Sequence, residues 1–103
     1  RYSVSPRHCL GVGLAVTDHR MPDAEDAALL LRATVTREGR IVAAQILHST
    51  AEGTEERMVS FVKANTRLWR KDGVKSPFEA FVVFFTDADG SAGWMVAGSQ
   101  PLV

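Results

Sequence analysis

The sequence predicts a small α+β domain, an antiparallel sheet with one main helix packed on one face, and three observations predict it. Ala27 to Ser49 holds two strand-like runs joined by a short turn containing glycine. Thr54 to Lys71 repeats apolar side chains at helical spacing. Phe78 to Thr86 is rich in aromatic and β-branched residues, as strands are. The expected order is β-β-β-α-β-β.

Each element has a local reason. Cys9 to Thr17 (CLGVGLAVT) is short and apolar, and Gly11 and Gly13 suit an edge or bulged strand better than a central one. Asp18 to Asp26 (DHRMPDAED) reads as an acidic loop punctuated by Pro22. In Ala28 to Thr36, Leu29, Leu31, Ala33 and Val35 share one face, and Leu30, Arg32, Thr34 and Thr36 the other. Arg37 to Arg40 is a turn in which Gly39 can take a positive φ. Ile41 to His48 returns as the second strand of a hairpin.

Thr54 is placed to cap the helix, with Glu55 and Glu56 in its first turn, where the dipole favours negative charge. Met58, Phe61, Val62, Asn65, Leu68 and Trp69 form its stripe, so Trp69 is expected in the core, with partial exposure at an interface beside Arg67 and Arg70 as the alternative. Gly73 is the expected C-terminal cap, and Pro77 stops any continuation. The run Phe81 to Phe85 is apolar on both faces, which predicts a central, covered strand. Asp87 to Gly90 is a turn, and Gly93 to Gly98 a short last strand.

The 103 residues make one domain, 1–103, with residues 1–8 as a loose N-terminal segment. Apolar residues make up 46% and charged residues 23%, enough for one core. Twelve basic and twelve acidic side chains cancel, which argues against a nucleic-acid partner. No apolar run approaches the roughly 20 residues of a membrane helix, so no direct membrane insertion is expected of this segment. A start at Arg1 rather than Met suggests a processed chain or an excised domain.

No catalytic set can be assembled from these residues. His8, His19 and His48 match no zinc spacing, and no cofactor is expected. Cys9 beside His8 is no nucleophile–base pair, because strand neighbours point to opposite faces. Asp87-x-Asp89-Gly90 lacks the remaining calcium ligands, with Val96 standing where an acid is needed. Asp23, Glu25 and Asp26 lie in a polar loop, without the pocket that separates carboxylate pKa values. Arg67, Arg70, Lys71 and Lys75 form a basic cluster that fits helix-dipole compensation or, alternatively, an acidic or peptide partner.

The run Val35 to Leu47 (VTREGRIVAAQIL), a helix ending in Leu68-Trp69-Arg70 and the strand FEAFVVFF resemble, in that order, the C-terminal domain of TonB and its relatives, including TolA-like domains. Glu38-Gly39-Arg40, Gln45-Ile46-Leu47 and Trp69-Arg70 fit the family's turn, strand and helix-end motifs over Leu29 to Phe85. The family's Y-P-x-x-A segment is absent, and Thr86 to Val103 continues past its last expected strand. The resemblance implies a non-enzymatic, protein-binding module of the bacterial cell envelope that serves transport. It implies a periplasmic location, as the soluble domain of an inner-membrane-anchored protein. Such a module grips an extended peptide or partner protein by β-augmentation at a sheet edge.

The expected edge is then the Phe78–Phe85 or the Gly93–Gly98 strand, with Phe78, Phe81, Val83, Arg67 and Arg70 as binding residues. Two other readings stand beside it. One is a ligand-binding or enzymatic domain with a pocket between helix and sheet. The other is a structural subunit that forms a homodimer through an edge strand.

Overall fold

The structure, a computed structural model, describes residues 10–102, so the expectations for Cys9, His8 and the segment 1–8 lie outside the described residues. Its elements are β1 (Val12–Val16), β2 (Ala27–Val35), β3 (Ile41–Ser49), α1 (Glu55–Asn65), β4 (Thr66–Arg70), β5 (Phe78–Thr86) and β6 (Ala92–Pro101). The α+β class and the order of the expected elements hold, with β4 added between α1 and β5. All strand pairs are antiparallel. One sheet has the order β3-β2-β5-β6, and β1 and β4 form a separate two-stranded ribbon.

β2 and β5 are the sheet's two central strands, paired over nine positions from Ala27↔Thr86 to Val35↔Phe78. Residues opposite each other in such a pair share a face. Leu29, Leu31, Ala33 and Val35 therefore line up with Phe84, Val82, Ala80 and Phe78, and all eight are buried. α1 adds Met58 and Val62 to this core, and the ribbon adds Leu68, with Leu10, Val12 and Leu14 packed around it. Phe61 of α1 meets Phe84 and Trp94 at centroid separations of 5.9 and 6.1 Å. The helix and the ribbon thus cover the same face of the four-stranded sheet.

The helix is shorter than its apolar stripe predicts. It ends at Asn65, whose Nδ2 donates back to the Phe61 carbonyl at 3.0 Å. Thr66 to Arg70 then alternates as a strand, with Thr66 and Leu68 buried and Arg67 and Trp69 exposed. Trp69 is 46% exposed rather than in the core. It pairs with Gly13 of β1, and its indole lies where a Cβ on Gly13 would stand. That contact explains why β1 carries a glycine there. Gly73 belongs to the β4–β5 turn, donating to the Arg70 carbonyl, and does not cap the helix. Thr54 precedes α1 but makes no side-chain cap, and the Glu55 carboxylate instead accepts from the Gly53 N–H at 3.0 Å.

The β2–β3 turn behaves as its sequence predicts. Gly39 has φ +90°, and a Cβ there would sit 2.7 Å from the Leu68 carbonyl oxygen. The Gly39 carbonyl accepts from the Leu68 N–H, tying the hairpin tip to β4.

The two faces of β2 should respond differently to truncation. Leu31→Ala empties a core site and is expected to cost about 3 kcal/mol, whereas Leu30→Ala, one residue away on the other face, costs less than about 1 kcal/mol. Urea unfolding of the two variants measures the difference, and equal losses would mean that both faces are packed.

Candidate functional site: the open side of the sheet

The second face of the four-stranded sheet has no covering layer among the described residues. The described chain extends 41 × 34 × 18 Å. A shortest dimension of 18 Å fits a sheet and one layer packed at about 10 Å, not a third layer. Strand β5 is central, as predicted, but covered on one face only. Phe85 is 45% exposed and Met95 of β6 is 56% exposed. Leu30, Phe81 and Val83 are half-buried on the same face.

This face carries one carboxylate and one guanidinium at its regular strand positions, with His48 opposite Leu30, and the first two neutralise each other. Arg32 Nε donates to Glu79 Oε2 at 2.7 Å, and Gln100 Nε2 donates to Glu79 Oε1 at 2.7 Å. Both Glu79 oxygens are thereby occupied, and its side chain is nearly buried. These hydrogen bonds, Arg32 first and Gln100 next, hold the Glu79 carboxyl below its ordinary pKa. Thr34, Ala43 and Gln45 border the pair and form the wall of an open hollow of about 400 Å³.

The sheet has two edges, and they differ. At β6 the Ala92 N–H donates to the His19 carbonyl and engages the start of that edge, while near its other end the buried Ser99 Oγ, on the core face, donates to the Leu10 carbonyl. At β3 the engaged end is its start, where Arg40 faces Arg67 of β4 across an isolated bridge. Val42 to His48 is exposed except for the half-buried Ala44. Register shifts against β2 leave Val42 and Leu47 without a direct partner, and both side chains are exposed. Bulges of this kind bend an edge and interrupt its template. Between them runs a regular stretch, Ala43 to Ile46.

The predicted binding residues do not form one site. Strand β5 is paired on both sides along its whole length, so it offers no edge, and of the two expected strands only β6 lies at one. Phe78 is a core residue, 1% exposed. Phe81 and Val83 do lie together on the open face. Arg67 is exposed on β4, beside the start of β3. Arg70 is held by Asp72, with Nη2 donating at 2.6 Å and Nε at 3.1 Å. Its guanidinium, followed by the Val74 N–H, lowers the Asp72 pKa.

The space between helix and sheet is filled by Met58 and Val62, both buried. An open groove of about 460 Å³ lies instead on the outer side of α1, between Met21–Asp23 and Arg57–Asn65. Arg57 Nη2 donates across it to the Asp23 carbonyl at 3.2 Å. No group of three or more His, Cys, Asp or Glu placed to hold a metal occurs among the described residues. No helix among them is long and apolar enough to cross a membrane.

Periodicity could have found the open face, because Leu30, Arg32 and Thr34 alternate with the core residues. It could not have found the Arg32–Glu79–Gln100 set, which joins three strands. Compared with known proteins, the chain matches no family model, no curated protein and no solved structure.

Glu79 makes a pH prediction. Its folded-state pKa is depressed, so it stabilises the fold above its unfolded pKa and that stabilisation is lost as pH falls through the folded value. Between about pH 5 and pH 2, Glu79→Gln should lose less unfolding free energy than the parent chain. Parallel acid limbs in denaturation curves of the two would show that the pair contributes no linkage.

Proposed function

We propose that this chain is a non-enzymatic protein-binding module that takes an extended peptide as an added strand along β3. The exposed stretch Val42 to His48, with the regular run Ala43 to Ile46 between its two bulges as the pairing template, carries the reading. It is an apolar edge strand with neither Lys nor Pro, the residues that commonly block edge pairing. An added strand gains main-chain hydrogen bonds from the edge, and its side chains meet those of β3 at alternate positions. Arg40 and Arg67 place two positive charges at the start of β3, so the fitting peptide carries an acidic residue at that end.

The resemblance of Leu29 to Phe85 to the TonB and TolA domains supports the same mode of binding, and with it a role in the periplasm as the soluble part of an anchored envelope protein. In this chain the edge differs from the one which that resemblance favours. β6 has His19 bonded to its start and Leu10 held against Ser99 near its end, whereas β3 is engaged only at its start.

A peptide of about eight residues, alternating Val and Thr and ending in Asp, is a suitable probe, because an antiparallel added strand brings its C-terminal end beside Arg40. Titrated into labelled protein, it should shift the amides of Val42 to His48. Ile46→Lys, a charge set on this edge, should weaken it by about fivefold or more. Shifts confined to Gly93–Gly98 would move the site to β6, and the absence of any shift would remove the proposed mechanism.

A further inference from the structure

We infer that the open face of the four-stranded sheet is an interface between two copies of this chain, packed face to face about a two-fold axis lying across the strands. The contact uses the outward side chains of β3 but not its free hydrogen-bonding edge, which is the part proposed for peptide binding.

Three observations identify a second copy as the occupant. The first is charge. Arg32 and Glu79 are the only Asp, Glu, Lys or Arg at the regular outward positions of the four strands, and they are already paired; His48, opposite Leu30, is the one further titratable side chain there. A face whose carboxylate and guanidinium already satisfy each other offers a strongly charged partner little to recognise, but meets a copy of itself with little repulsion.

The second is relief. Met95 and Phe85 stand proud at one end of the face. Towards the other end, Gly98 has no side chain, and the hollow beside Arg32, Thr34 and Ala43 opens. A two-fold axis across the strands turns one copy end for end over the other. Met95 of each copy then comes over the Gly98 end of its partner, the self-complementarity that an isologous contact requires.

The third is size. Four strands about 4.8 Å apart and nine residues long at about 3.3 Å each give a footprint of roughly 570 Å². Two copies then bury roughly 1,100 Å², close to the lower bound for specific association, so the dimer is a reversible one. Paired sheets lie about 10 Å apart with strands inclined by about 30°, which the twist of an open antiparallel sheet accommodates.

Sedimentation equilibrium of the whole chain between about 10 μM and 1 mM tests the inference, because an interface of this size predicts association within that span. The expected result is a mass rising from one chain to two. Met95→Asp should weaken the dimer by about tenfold or more, and Phe85→Ser should weaken it too, while Val42→Asp on the β3 edge leaves it unchanged. Circular dichroism establishes that each variant is folded, and two outer-face variants leave one to decide if the other is not.

A chain that stays monomeric to 1 mM would overturn the inference, as would a folded Met95→Asp that dimerises as tightly as its parent. Weakening by Val42→Asp equal to that by Met95→Asp would assign the contact to edge pairing instead. Binding of the monomer to anionic vesicles without self-association would assign the face to a membrane.

Discussion

The nine-residue pairing of β2 with β5 is the constraint on which the rest of the structure depends. It joins strands more than forty residues apart in sequence, and its register decides which side chains reach the core. In that register Leu29, Leu31, Ala33 and Val35 fall beside Phe84, Val82, Ala80 and Phe78. A slip by one residue would carry Leu30, Arg32 and Thr34 of β2 to the face lined by those β5 residues. That would bury the Arg32 guanidinium away from Glu79, so one register is strongly preferred. Removing eight mostly large apolar side chains from water stabilises the pair by more than any local propensity in β1 or β4 could supply.

The position of every other element follows from that pairing. With β2 and β5 central, β3 and β6 become the edges. The connection through α1 and β4 must start at the end of β3 and deliver the chain to the start of β5 on the same side. Helix and ribbon therefore share one face, and no further element among the described residues lies on the other. The chain handles its open side in different ways. Arg32, Glu79 and Gln100 satisfy one another, Phe85 lies over Gly93 where a side chain would otherwise be, and bulges at Val42 and Leu47 interrupt the β3 edge.

Much of this fold was legible in the sequence, and what was not has a physical reason. The alternation in Ala28 to Thr36 identified both faces of β2 correctly, and Glu38-Gly39-Arg40 identified its turn. The end of α1 was misread because Leu68 lies at both helical spacing from Phe61 and strand spacing from Thr66. Over five residues the two periods cannot be told apart, and tertiary pairing with β1 decides in favour of a strand. Trp69 went to the exterior with that change. For β5, apolar residues on both faces mark a central strand but do not say that both faces are covered. The identity of the open edge depends on strand order, which no local pattern carries. For the same reason, the bulges on β3 and the three-strand Arg32–Glu79–Gln100 set could not be read from spacing.

The central claim is that adjacent residues of β5 live in opposite environments, one packed and one open. Methyl relaxation by a soluble paramagnetic reagent, measured in dilute solution, tests it most directly. Strong relaxation of the Val83, Leu30 and Met95 methyls and weak relaxation of Val82, Leu31 and Met58 are expected. Equal protection of Val82 and Val83 at the lowest concentration would mean that a covering layer lies on the face described as open, and would contradict the account.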